Sequence, residues 1–449
     1  MPQATGAPAD AAYVEGPVFR HVVALTALGS LGLMAIFTVD LVNLLYISLL
    51  NDEVLTAAMG YAGAVLFVIV SVGIGFSIGV TAHTARRIGA GDRAAARRVA
   101  SSGLVISFVA TSVVTLLLAG VLGPCLALLG AEGRAFEVTR HFLWITMFGM
   151  PLLALSMAMG GVLMAFGAPR MTLWINLAGA GATAILDPIF IFALDLGVTG
   201  AAIVIVLIRF VALAVGWYGL VPRLNALARP TLATVRQDAG PLFAIAFPAI
   251  LTNLATPVSN MLVTAYVARF GTEAVAGWSI VGRIYPLSFA GIFALTGSVG
   301  AIFGQNVGAR RFDRVRKTLA DSTLFTAIYV AVIWLLLFLG TDAISWAFHA
   351  TGRVAEMIAF YCLWVAPTFI FTGALFVANA AFNNLGFASY STAFNWGRAT
   401  LGTLPFCWLG VWHGSADLVI LWWSIGAALF GVPALWLARL SIDRLAAAP

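Results

Sequence analysis

Asp40 and Asp187 are carboxylates set inside long apolar runs, while the other acidic residues of the chain fall between such runs or near their ends. A carboxylate at the centre of a membrane helix costs about 2.5–3.5 kcal/mol on insertion scales, so it faces the interior of a bundle and marks a functional site by default. Such a group exchanges a proton when its surroundings change, which is what coupling to H+ requires. The plainer reading is a neutral, hydrogen-bonded group that fastens helices together. Asn43 lies three residues after Asp40 and so shares its helix face. Asp187 is followed by Pro188, whose ring lacks an N–H and leaves a carbonyl near Ala184 free for a cation or water. Thr183 is a polar residue one turn before Asp187. Arg209, Arg283 and Arg398 also fall inside apolar runs. Arg209 would compete with proton uptake if it paired with either carboxylate; snorkelling or a structural ion pair is the other reading. Arg283 and Arg398 receive no role.

The elements that must position these groups are set by composition. The chain has 449 residues, 61% of them hydrophobic and only 9% charged. A soluble domain is about 25% charged, so this chain cannot coat a water-facing surface and is expected to be an all-α polytopic membrane protein. A crossing takes about 20 apolar residues. Twelve spans are expected, at 18–50, 54–88, 98–122, 137–166, 172–194, 198–221, 241–270, 274–307, 315–339, 354–382, 392–412 and 416–440. With both termini inside, the outer loops hold four basic residues (Arg134, Arg140, Arg269, Arg353) and three lie within spans. The remaining 17 of 24 fall on the inner side. That asymmetry orients the chain in the cytoplasmic membrane by the positive-inside rule. The first 16 residues carry Asp10 and Glu15 and no basic cluster, unlike a cleaved signal peptide.

The chain also repeats itself. Gly89-Ala90 with Arg97-Arg98 recurs as Gly308-Ala309 with Arg316-Lys317, and Gly167 with Asn176 recurs as Gly386 with Asn395. Both offsets are 219 residues. A unit of six helices, being even in number, gives two lobes related by an axis along the membrane normal. The expected organisation is a tail at 1–17, a first lobe at 18–222, a linker at 223–240, a second lobe at 241–440 and a tail at 441–449. Repeats of this size place cargo near the bilayer midplane and alternate access by rocking. Met157, Asn176, Asn379 and Asn383 are the residues assigned to the cargo cavity.

Other chemistries leave no trace. Cys125, Cys362 and Cys407 are far apart, the five histidines are scattered, and no HExxH, GxSxG or GxxxxGK[ST] occurs. Neither an enzyme, a resident metal, an organic cofactor nor a nucleic-acid partner is expected; the positive balance is assigned to inner loops. Glycines at 73, 75, 79 and at 300, 304, 308 read as close-packing ridges.

The chain resembles the multidrug and toxic compound extrusion family of antiporters from about residue 20 to 440. The marks are the doubled six-helix unit, Asp40 with Glu53-Val54-Leu55-Thr56-Ala57-Ala58, Gly89-Ala90-Gly91-Asp92, Leu186-Asp187-Pro188-Ile189-Phe190, Gly197-Val198-Thr199-Gly200-Ala201-Ala202, and Gly304-Gln305-Asn306-Val307-Gly308-Ala309. The resemblance implies a V-shaped pair of lobes and export of cationic amphipathic compounds in exchange for H+ or Na+. Counted back from Glu53, the family's first-helix Asp falls on Asn43, with Asp40 one turn earlier; its fifth-helix Asp falls on Asp187. Acids that some sodium-coupled members carry in helices 7 and 10 are replaced here by Ala255-Thr256-Pro257 and Asn379-Ala380-Ala381-Phe382-Asn383-Asn384. This favours the branch whose ion site is in the first lobe, with H+ as the coupling ion and Na+ as the alternative. The expected protein is a monomeric exporter of lipophilic cations embedded in the lipid bilayer. A lipid-linked precursor flippase of the same superfamily is the rival; twelve spans and acidic cavity candidates weigh against it.

Overall fold

A computed structural model describes residues 11–48 and 52–447, except the side chains of Asp40, Leu41, Leu44, Leu45, Ile47, Ser48, Glu53 and Thr56. The described chain is helical, without a strand among the described residues. The first stretch comprises α1 (Val18–Ser48), α2 (Glu53–Gly89), α3 (Arg93–Gly120), α4 (Leu122–Leu128), α5 (Gly133–Met147), α6 (Met150–Ala165), α7 (Pro169–Pro188) and α8 (Gly197–Tyr218). Then follow α9 (Leu232–Val267), α10 (Thr272–Ser288), α11 (Ala290–Gly308), α12 (Phe312–Leu339), α13 (Thr341–Ala347) and α14 (Gly352–Phe360). The last are α15 (Phe369–Leu385), α16 (Ala388–Thr400), α17 (Leu404–Trp412), α18 (Ala416–Gly426) and α19 (Ala428–Ala447).

Ten of the helical stretches described are long and apolar enough to cross a bilayer, and α5 with α6, bent by 48°, makes an eleventh. The eleventh expected span, 392–412, instead forms two shorter helices, α16 and α17. The break at Leu401-Gly402-Thr403 precedes Pro405, which cannot continue a helical hydrogen-bond ladder. The bend between α5 and α6 likewise precedes a proline, Pro151, at the start of α6.

Internal contacts divide the chain into two units. One is built on Leu31–Ile250; the other joins Tyr13–Ser30 to the segment from Leu251 onward. Both α1 and α9 therefore contribute residues to each unit.

In the first unit, small residues let helices approach closely, as membrane packing requires. Gly73 of α2 lies against Ala154 and Met157 of α6, and Gly161 of α6 lies against Ser77 and Thr81 of α2. The Ser77 hydroxyl donates across this seam to the Met157 carbonyl at 2.9 Å. Helix starts follow from side-chain caps: Asp52 accepts from the Val54 N–H at 3.0 Å and Asp92 from the Ala95 N–H at 2.8 Å. The linker after α8 is held by α3. Arg93 donates to the Leu224 carbonyl at 2.9 Å and Arg97 to the Leu227 carbonyl at 2.6 Å. These arginines, read from the sequence as inner-loop charges, thus also fix the loop's path.

In the second unit the segment before α1 is clamped. The Tyr13 N–H donates to Gln305 Oε1 at 2.8 Å, and Arg314 donates to the carbonyls of Tyr13 and Gly16 at 3.0 and 2.9 Å. Asn306 Oδ1 accepts from Arg314 Nε at 3.0 Å, which fixes the guanidinium. Gln305 and Asn306, which the sequence offers only as part of the Gly304–Ala309 motif, therefore act as a clasp. Burial pushes the Tyr13 phenol well above its usual range, so the clasp holds a neutral ring through physiological pH.

Candidate ion-coupling site

Asp187 is the next-to-last residue of α7, and it is 1% exposed. Pro188 closes that helix and the backbone then widens into a single π-helical turn, Ile189–Ala193, with the Leu194 N–H donating to the Ile189 carbonyl at 2.8 Å. Such turns recur at functional sites because the widened backbone re-aims nearby groups. α7 itself begins at Pro169, two residues after Gly167, whose positive φ of 78° turns the chain out of α6.

The Asn43 side chain of α1 hydrogen-bonds the Asp187 carboxylate. Asp187 Oδ1 and Asn43 Oδ1 meet no further partner among the described residues. The amide of Asn43 is therefore the donor. Other buried carboxylates differ. Asp321 is paired with Lys317 at 3.2 Å and Asp417 with Arg353 at 2.6 Å. Asp187 has no ion-pair partner among the described residues. Sequence reading placed Asp321 and Asp417 at span edges. Their burial was not visible there, because a basic partner four residues off or on another helix leaves no strong pattern.

The remaining sequence candidates fall as follows. The Asp40 backbone lies in α1, but its side chain is outside the described residues. Thr183 is buried one turn before Asp187, with its hydroxyl donating to the Gly179 carbonyl at 2.9 Å. Asn176 of α7 sits against Gly32 of α1, where a Cβ would come within 2.6 Å of its amide nitrogen. A glycine there is what lets α1 approach α7. Met157 is half-buried beside Gly73. The Arg209 stem passes Gly149. Asn43, Asn176, Thr183 and Asp187 thus share the α1–α7 part of the first unit.

Asn379 and Asn383 belong to the second unit and are 3% and 2% exposed. Asn395 of α16 donates to Asn379 Oδ1 at 3.0 Å, and the Ser391 hydroxyl donates to Asn383 Oδ1 at 3.3 Å. This buried network fastens α16 to α15. The residue that sequence reasoning passed over is Arg398, 5% exposed at the end of α16. Its signal was an arginine in an apolar run without an acid nearby in sequence. No three His, Cys, Asp or Glu side chains converge on a metal-sized site among the described residues.

Comparison with known proteins places these features in a wider group. The MatE family model matches residues 29–189 and 248–409, two stretches whose starts are 219 residues apart, the same offset as the internal repeat. The chain is 26% identical over 432 residues to an FAD transporter of Shewanella oneidensis, covering 95% of each chain. It is 23% identical over 377 residues to the multidrug export protein MepA of Staphylococcus aureus, covering 81% of this chain and 82% of that one. The fold matches the Vibrio cholerae MATE transporter VcmN in its bent form, with a TM-score of 0.88, 24% identity and coverage of 95% and 98%. A MOP superfamily transporter from Pyrococcus furiosus matches with a TM-score of 0.90, 19% identity and coverage of 98% and 99%.

Proposed function

This chain belongs to the MatE family of membrane transporters, and on that premise we propose that it is an H+-coupled antiporter that exports lipophilic cationic small molecules by alternating access. The observation that carries this reading is Asp187, a buried carboxylate without an ion-pair partner among the described residues, held by Asn43 where α7 widens into a π turn. Asp187, with Asp40, takes up H+ when open to the outside. Neutralisation weakens the polar contact between α1 and α7, α1 bends, and cargo leaves. Open to the inside, the carboxyls release H+ and attract a cationic cargo. The protein sits in the cytoplasmic membrane as a monomer with both termini inside.

One pH unit supplies about 1.4 kcal/mol, and one charge crossing 100 mV about 2.3 kcal/mol. Exchange of one H+ for one monovalent cation moves no net charge, so only the pH term drives it. Steep accumulation then needs a second proton, which is the value of two acids.

The likeness to an FAD transporter over nearly the whole chain favours a second reading, an anionic aromatic cargo. The test is cargo-dependent H+ movement in proteoliposomes, with and without Na+, using a lipophilic cation and FAD as cargoes. H+ flux with the cation, lost in Asp187→Asn, supports the first reading. Coupled transport that survives Asp187→Asn removes it, and dependence on Na+ reassigns the ion.

A further inference from the structure

The second unit encloses a small cavity lined by Tyr285, Tyr361, Thr372, Arg398, Trp423 and Ser424, with room for about one or two water molecules. All six residues come from this one unit. Arg398 brings a full positive charge to its wall while 5% exposed, and Tyr361 is 3% exposed. A guanidinium does not lose its proton in a protein, so Arg398 cannot escape burial by becoming neutral.

Its partners in the protein do not balance that charge. Arg398 donates one long hydrogen bond, 3.3 Å, to the Thr256 hydroxyl, and its Nε meets no partner among the described residues. No acid pairs with it among the described residues; the titratable group facing it is the Tyr285 phenol. The Tyr361 hydroxyl is also without a partner among the described residues. The C-terminal carbonyls of α16 supply some negative potential, worth about half an elementary charge at a helix end. The Arg398 carbonyl itself is taken by the Thr403 hydroxyl at 3.0 Å, which in turn meets Ser259 at 2.9 Å, the acceptor of the Trp423 indole. This chain of bonds fixes the wall and leaves the donors of Arg398 and Tyr361 for the cavity.

The internal repeat makes the feature specific to one lobe. At an offset of 219, Arg398 corresponds to Gly179, and Asp187 corresponds to Phe406. Neither buried charge therefore has a charged counterpart at the equivalent position of the other repeat.

We propose that this cavity is an anion site, taking a compact monoanionic group such as a halide ion or a carboxylate between Arg398 and the Tyr361 hydroxyl. A buried cation with spare donors is repaid in hydrogen bonds by such a ligand, and charge-assisted bonds of this kind are about twice as strong as neutral ones. The size of the cavity excludes a whole drug-sized molecule; it admits a free ion or one arm of a larger one. The proposal concerns binding and does not rest on the coupling ion or the direction of transport.

The test uses the full chain in nanodiscs, with thermal unfolding followed as gluconate is replaced by chloride or by acetate at constant ionic strength. Saturable stabilisation by either probe is expected, lost in Arg398→Gln. Stabilisation by chloride but not acetate assigns a free halide, and the converse assigns a carboxylate arm. If Arg398→Gln does not fold, Arg398→Lys and Tyr361→Phe carry the test, and a threefold or greater loss of apparent affinity in either sustains the site. No saturable stabilisation of the wild-type chain, equal stabilisation of Arg398→Gln, or wild-type affinity in both milder variants overturns it.

Discussion

Asn43 of α1 holds the carboxylate of Asp187 in α7 through a side-chain hydrogen bond, at the point where α7 gives way to a π turn. The contact joins a helix that contributes to both units with the helix that carries an acid without an ion-pair partner among the described residues. It is sensitive to protonation by construction, since an amide that donates to a carboxylate loses part of its reason to stay when the carboxylate is neutral.

A first prediction follows from that bond. Hydrogen bonds to charged groups contribute about 1.5–3 kcal/mol, which is roughly ten- to a hundredfold in the balance between two conformations. Asn43→Ala is expected to reduce cargo efflux driven by a pH gradient by about tenfold while leaving the amount of folded protein unchanged. Asp187→Asn is expected to abolish the coupling. Efflux from proteoliposomes at fixed internal and external pH measures both. Efflux at the wild-type rate in Asn43→Ala would show that the contact is structural only.

The long apolar runs, the doubling and the acid before Pro188 were legible because each is a local or strictly periodic signal. The 219-residue offset read from loop motifs is the same one that separates the two family matches. The partner of Asp187 was half legible: Asn43 was picked out through its spacing from Asp40, but its bond to α7 depends on how two helices far apart in sequence dock. The break in the eleventh span was hidden because Pro405 stands near the start of a stretch, 404–412, that is apolar throughout. Arg398 was set aside because a charge in an apolar run reads as an edge residue until its burial is seen. Asn379 and Asn383, assigned to a cargo cavity from residue type alone, are already engaged with Asn395 and Ser391.

Gly161 sits where α6 crosses α2. A Cβ added there would lie 3.0 Å from the Ser77 carbonyl oxygen and closer still to the Thr81 hydroxyl. Because backbone is among the atoms met, relief requires the helices to separate. Gly161→Ala is expected to destabilise the protein by about 1–3 kcal/mol, as overpacking does. A lower unfolding temperature in detergent, with Gly179→Ala as an uncrowded comparison, is the observation that checks it.

The clasp on the segment before α1 gives another. Arg314 donates to the Tyr13, Glu15 and Gly16 carbonyls and to Asn306. Arg314→Ala removes all of these and leaves the acceptors around buried Tyr13 under-satisfied, a loss of about 1–3 kcal/mol for that contact. Hydrogen exchange at residues 13–16 is expected to rise sharply, with little change at Gly91 or in α3. Unchanged exchange at those residues would mean that Gln305 alone retains the segment.

The sign of the cargo charge is readable from voltage. A monovalent cation leaving against one entering H+ moves no net charge, so a membrane potential leaves its efflux unaffected. FAD carries a pyrophosphate and is anionic; its exit against entering H+ moves negative charge out and positive charge in. An inside-negative potential then drives both movements, with about 2.3 kcal/mol per charge for each 100 mV. In proteoliposomes held at equal pH, imposing 100 mV is expected to leave efflux of a lipophilic monovalent cation unchanged within twofold. Anion efflux through the same protein would instead accelerate, and would do so more steeply for each added cargo charge. Acceleration of the cation by potential alone would require more than one H+ per cargo.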